Sequence, residues 1–354
     1  GIYQLTQATN PSIPVEQFSY DAAGNRVGTS VNVVNRLLED ASFTYSYDNN
    51  GNLTQKTSRS TGEITTYTYD AEMRLTQASR PGMTAIYKYD PFGRRIEKSV
   101  NGTVTRYLYD REDIIARLNS NNQVVAAYSH GPETDEPLSA YQGGQWFFYH
   151  RDGLGSVTMM TDVSGAAAQS YNYGSFGNII GVSNPNLIQP YTFTSREYDE
   201  ETDLYYYRAR YYDARAGRFI SADPIGLEGG DSNYFRYVVN NPVNRIDPDG
   251  KMGRKPGLIE PAVQVYDAAQ CARYQKMYYD ALKKCEKECG DSLEGEARYL
   301  DKYSSSGLSM SLANFGCVCA KMKLNGKNCK DVFAKCMGLG FGLPVKRPAN
   351  EVGR

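Results

Sequence analysis

An aromatic-x-Tyr-Asp quartet followed by a turn recurs five times in the first 120 residues of this 354-residue chain. The copies are FSYDAAGNR at 18–26, YSYDNNGNL at 45–53, YTYDAEMRL at 67–75, YKYDPFGRR at 87–95 and YLYDREDII at 107–115. Their aspartates, Asp21, Asp48, Asp70, Asp90 and Asp110, stand 27, 22, 20 and 20 residues apart, so the period is about 20 with insertions. Residues two apart on a strand share a face, and Tyr45/Tyr47, Tyr67/Tyr69, Tyr87/Tyr89 and Tyr107/Tyr109 therefore build a ladder when hairpins lie side by side. The Asp and the Asn-Gly or Phe-Gly after it make the reverse turn, and the chain continues as a second strand. A lone hairpin cannot bury its aromatic face, so stability has to come from stacking. The expected fold class is mainly β, with antiparallel hairpins in one continuous curved sheet. Five or six units are too few to enclose a further domain, so that sheet is expected to stay open.

From 121 to 203 the repeat degenerates into wider hairpins. Strand-like runs at 145–150, 156–161 and 168–173 are punctuated by Asp152-Gly153, Ser164-Gly165 and Phe176-Gly177. His150 beside Asp152 suggests catalysis, but no nucleophile is tied to the pair by a motif, and a structural role is the simpler reading.

The stretch 204–250 carries aromatic and basic residues, Tyr205, Tyr206, Tyr207, Arg208, Arg210, Tyr211 and Tyr212, into two Asp-Pro-x-Gly turns at 223–226 and 247–250. In each turn Asp accepts from downstream N–H groups, Pro fixes φ and Gly supplies the left-handed position. Upstream the chain is Tyr-rich and free of Cys; downstream it is rich in Cys and Lys.

RARYYD at 208–213, GRFISADPIGL at 217–227 and NPVNRIDPDG at 241–250, with HRDGLGSV at 150–157, resemble the core of the Rhs/YD-repeat family. That family includes bacterial polymorphic toxins, insecticidal toxin-complex C subunits and the animal teneurins. The resemblance covers roughly the first 250 residues and implies a YD shell: repeats at 1–120, degenerate hairpins at 121–203, the associated core at 204–250, and a variable effector domain at 251–354. It implies a secreted or cell-surface protein that competes with other bacteria or a host, a cognate immunity protein, and a secretion apparatus. It further implies self-cleavage just after the second turn by Arg210, Asp223 and Asp247, at the Lys251-Met252 bond. The family usually places Leu where this chain has Lys251. Read from the residues alone, the two aspartates are turn caps.

The chain opens Gly1-Ile2-Tyr3 and reads as the C-terminal piece of something longer, so it says nothing about export. Residues 1–250 carry 21 Lys/Arg against 29 Asp/Glu, whereas 251–354 carry 18 against 11. The basic tail fits an anionic partner, nucleic acid or membrane surface, or it simply complements the acidic part. All seven cysteines, Cys271 to Cys336, lie in the tail, which reads as an intrachain disulfide framework with one thiol left over. Zinc knuckles and buried free thiols are the alternatives; the spacings suit zinc poorly and the tail has no His. Apolar spacing predicts helices over 260–289, 308–323 and 327–337, hence a small Cys-rich helical domain after a Lys255-Pro256-Gly257 linker. No cofactor-binding or metal site is expected, and no catalytic residue stands out in the tail. A cell-surface adhesion or structural shell with a stabilising, non-toxic cap is the other reading.

Overall fold

The computed structural model describes residues 3–253 apart from 11, 12, 133 and 252. The expected helical, disulfide-bonded tail, all its cysteines included, lies outside the described residues. Sixteen antiparallel strands from Ser30–Val31 to Ile179–Val182 form one sheet, each paired with its neighbours in sequence. The sheet continues across residue 120 through the pairing of Asp113–Leu118 with Val124–His130. Among the described residues there are no α-helices, only three short 3-10 turns.

The second to fifth repeat units are each one hairpin of this sheet, whereas the first, at 18–26, closes only through the isolated bridge Tyr20–Arg26 and lies outside it, so the expected single sheet of all five units holds for four. Asp48 accepts at Oδ1 from the Asn52 amide at 2.8 Å, and Gly51 donates to the Asp48 carbonyl at 3.2 Å with φ +90°. The same loop recurs at Asp21, Asp70 and Asp90, and again in the degenerate region at Asp152 and Asp162. In the third unit Met73 occupies the glycine position at φ +61°, a strained region for a side chain of that size. The first Tyr of each pair, Tyr45, Tyr67, Tyr87 and Tyr107, is buried. In several units the second stitches hairpins together: the Tyr89 hydroxyl donates to the Leu75 carbonyl at 2.7 Å, Tyr109 to Arg95 at 2.9 Å, and, in the degenerate region, Tyr173 to Val157 at 2.6 Å, whereas the buried Tyr69 hydroxyl has no partner.

Sixteen flat strands spaced about 4.8 Å apart would span roughly 70 Å. Yet the Arg26 guanidinium, just before the first strand of the sheet, lies 4.5 Å from the ring centre of Phe176, just before the last. The sheet therefore curls until its ends meet through side chains, while its edge strands stay unpaired with each other. It is curved and open, not a closed barrel.

What it curls around is the 204–250 stretch. A four-stranded sheet of Glu197–Asp199, Leu204–Tyr207, Arg210–Asp213 and Arg218–Phe219 turns Leu204, Tyr206, Tyr211 and Ile220 toward the Tyr45/Tyr67/Tyr87 ladder. Tyr205, Tyr207, Tyr212, Phe219 and Tyr237 form a second cluster with Phe176 and Phe193. At about 1.5–3 kcal/mol for each fully buried large side chain, this plug is a major source of the driving force for curling. The place where composition changes along the chain is the centre of its fold.

Buried ions join plug to sheet. Arg95, its side chain 1% exposed, pairs with Glu197 at 2.8 Å and with Asp199, which Lys98 also meets at 2.9 Å. Asp135 pairs with Arg196 and, at 2.8 Å, with Arg208.

Candidate functional site

Arg210 opens the third strand of the plug, and its guanidinium projects over the Phe219 ring with 3.6 Å to the centroid. The two Asp-Pro-x-Gly turns flank it. Nη2 meets Asp223 Oδ2 at 2.9 Å and Asp247 Oδ2 at 3.3 Å, so both carboxylates share one guanidinium nitrogen. Nη1 donates to the Tyr234 carbonyl at 2.9 Å, and Nε donates to the Gly250 carbonyl. Arg210 therefore holds the second turn by backbone as well as by charge. All three sequence-predicted residues come together.

Each aspartate also caps its own turn. Asp223 Oδ1 accepts from the Ile225 amide and Asp247 Oδ1 from the Lys251 amide, both at 3.0 Å. Gly250, at φ +66°, lies so close to the Tyr207 carbonyl that an added Cβ would stand 2.3 Å from it. The turn can be pressed onto the plug because that position has no side chain.

The hydrogen bond from Lys251 to Asp247 fixes the residue before the expected cut. Its carbonyl oxygen lies beside Gly229, where a Cβ would stand 3.0 Å from Lys251 O and 3.1 Å from Asp223 Oδ2. Asp247 thus grips the amide of Lys251, while the Lys251 carbonyl oxygen and Asp223 Oδ2 both border Gly229. Burial raises the Asp223 carboxyl above its ordinary pKa; Arg210 opposes the rise, and Asp247 adds to it. Burial likewise pulls the Arg210 guanidinium below its usual range, which the two carboxylates only partly offset. A proton-holding carboxyl and a second carboxyl beside one cation can supply acid and base to a water. Met252, on the far side of the bond, lies outside the described residues.

Sequence reasoning missed two supports of this site. Arg208, in the left-handed region at φ +53°, donates to the Pro248 carbonyl at 2.5 Å and pairs with Asp135, tying the second turn to the large sheet. Val238 and Val239, β-branched residues at φ +40° and +59°, form a strained turn against Gly253. His150 has the structural setting expected of it: Nε2 lies 2.9 Å from Thr161 Oγ1, and Asp152 caps its turn. Among the described residues no group of three or more His, Cys, Asp or Glu is placed to hold a metal.

Comparison with known proteins places this architecture. The teneurin YD-shell family model matches residues 3–242, taking in Arg210 and Asp223. The chain belongs to the Rhs/YD-shell family. Relatives in that family include the tRNA3(Ser)-specific nuclease WapA of Bacillus spizizenii, 37% identical over 270 residues that cover 70% of this chain and 11% of WapA. The double-stranded DNA deaminase toxin A of Burkholderia cenocepacia is 30% identical over 67% of this chain and 19% of its own length. The crystal structure of TcdB2-TccC3-Cdc42 is similar over 67% of this chain and 15% of that one, at 19% identity and a TM-score of 0.45. The YD-shell chain thus spans between a tenth and a fifth of these curated relatives. The relatives are toxins and nucleases of the Rhs type.

Proposed function

We propose that this chain is a section of an exported polymorphic-toxin shell that cuts its own Lys251-Met252 bond and so frees a cationic, Cys-rich effector tail. The observation that carries the reading is the grip on Lys251, its amide on Asp247 and its carbonyl oxygen bordering the same glycine, Gly229, as Asp223 Oδ2. In the reaction, water adds to the Lys251 carbonyl carbon, giving a proton to Asp247 while Asp223 protonates the carbonyl oxygen. Collapse of the tetrahedral adduct breaks the C–N bond: the Met252 nitrogen takes the proton from Asp247, and Asp223 recovers its own. Arg210 holds both carboxyl groups and stabilises whichever is ionised. The shell and core end at Gly250, and the tail begins with the cut.

The net charge of the tail and the nuclease and deaminase names of the relatives support nucleic acid as its target. A cognate immunity protein and a secretion apparatus complete the system, and the seven cysteines of the tail sequence suit an exported protein. The test is a denaturing gel with N-terminal sequencing of the full chain. Wild type releases a fragment beginning at Met252, Asp247→Asn does not, and Lys251→Leu cuts faster. An intact chain in both wild type and Lys251→Leu would reduce the aspartates to turn caps. Expression of 252–354 alone, in cytoplasm and in periplasm, tests the effector: harmlessness in both compartments would favour the adhesion reading.

A further inference from the structure

At the junction of the sheet ends, away from Arg210, lies a cavity of about 260 Å³. Four guanidinium-bearing residues line it, Arg26, Arg215, Arg218 and Arg236, against one carboxylate, Asp40. Arg215 is paired with Asp40 at 3.1 Å, and Arg236 with Asp231 at 2.6 Å. Among the described residues, Arg26 and Arg218 have no carboxylate in ion-pair range. Arg26 donates to the Arg215 carbonyl at 3.0 Å and lies against the rings of both Phe18 and Phe176, which touch each other edge to face. Arg218, only 9% exposed, donates to the Asn35 carbonyl and lies over Phe235, and its Nε has no acceptor. Counting Asp231 with Asp40, the group keeps two positive charges unmatched.

The fold makes room for these cations. A Cβ at Gly217, φ +68°, would stand 2.3 Å from Arg26 Nη2, and one at Gly24, φ +77°, would stand 2.0 Å from Arg236 Nη1. Two guanidiniums are thus seated over backbone that only glycine leaves open. An unpaired buried ion is costly, and a cation–π contact offsets only part of that cost. Burial, with the charge of Arg26 nearby, depresses the Arg218 guanidinium, and Asp21 opposes this only in part.

We propose that this cavity binds a small dianionic oxyanion of the phosphate class. Guanidinium forks match phosphate oxygens, two surplus charges match a dianion, and the volume admits phosphate with part of its hydration. The site is independent of the self-cleavage reading.

The experiment is calorimetric titration of the full chain with inorganic phosphate at constant ionic strength, alongside thermal melting in phosphate and in chloride. Saturable binding of one phosphate is expected, with a melting midpoint that rises with phosphate concentration and not with chloride. Arg26→Gln and Arg218→Gln should each weaken binding at least tenfold. Lys88→Gln, which alters an exposed lysine paired with Glu97 at 2.7 Å, should leave it unchanged. If Arg218→Gln does not fold, Arg26→Gln decides alone. No saturable heat, an equal midpoint shift in chloride, or undiminished binding in Arg26→Gln would overturn the assignment and leave these arginines as aromatic-stacked pillars.

Discussion

Replacing Gly229 by alanine is expected to slow the Lys251-Met252 cut without unfolding the shell. Gly229 ends the short turn Gly226–Gly229 outside the left-handed region, so its backbone accepts a side chain. The new methyl would stand 3.0 Å from the Lys251 carbonyl oxygen and 3.1 Å from Asp223 Oδ2, and each neighbour must give by a few tenths of an ångström. A misplacement of about 1 Å costs on the order of a hundredfold, so shifts of this size should slow cleavage roughly three- to tenfold. That is about 0.7–1.4 kcal/mol of barrier. Stability should change little, because the contact penalty opposes the ~0.4–1 kcal/mol that alanine gains over glycine through the unfolded chain. First-order rates come from a gel time course, and fold from the thermal midpoint by circular dichroism. A Gly229→Ala chain that cuts at the wild-type rate, while Asp247→Asn is inactive, would refute the approach of Asp223 to the carbonyl. An uncut wild type would instead remove the self-cleavage reading itself.

The pH profile tests the same acid. Because the folded-state pKa of Asp223 is raised, folding favours its protonated form; the stability this contributes is present at low pH and is lost as pH rises through the raised value. Cleavage should likewise fall as Asp223 loses its proton, and a rate that climbs over that limb would assign the acid elsewhere. Asp223→Asn should flatten the stability loss above the ordinary carboxylate pKa of about 3.9, as read by denaturant midpoints against pH. In the ladder, Tyr109→Phe removes the 2.9 Å hydrogen bond to the Arg95 carbonyl and should cost about 1 kcal/mol; an unchanged urea midpoint would refute the stitch. Arg95→Met leaves Glu197 and Asp199 buried without their guanidinium and should cost about 3–5 kcal/mol, seen as loss of soluble protein or of the urea midpoint; wild-type stability would contradict it.

The hairpins were legible because their determinants are local. Asp, the residue four later and the glycine between them close one loop, and the tyrosines two apart declare the face. The strands Val124–His130 and Pro137–Gln142 were not named in advance, because neither leads into the Tyr-Asp turn that punctuates the units. Arg95, Asp135 and Arg208 were illegible for a different reason: their ion-pair partners lie 41 to 104 residues away, and no local pattern records such a pairing. Gly229 and Gly217 acquire meaning only once distant segments rest against them. Arg210, Asp223 and Asp247 were found through family resemblance; their spacing alone does not distinguish a catalytic set from two capped turns.

The fold removes the conflict between those two readings, because a carboxylate has two oxygens. In Asp223 and Asp247, Oδ1 satisfies a backbone amide two or four residues on, and Oδ2 turns to the Arg210 guanidinium. The cap fixes each side chain in the orientation from which its other oxygen can act, so turn chemistry does the positioning that proximity requires. This arrangement explains why an Asp-to-Asn change is the informative one. Asparagine can keep the capping oxygen, but it then presents an amide donor to a guanidinium that also only donates, so the turn survives while the charge pairing and the proton site are lost. The plug adds the remaining constraint: Arg210 reaches both turns only because its strand is held between buried tyrosines, with neighbouring Arg208 anchoring Pro248 and pairing with Asp135 of the large sheet's loop. The curled sheet therefore helps to set the geometry of the Arg210, Asp223 and Asp247 cluster without contributing a residue to it.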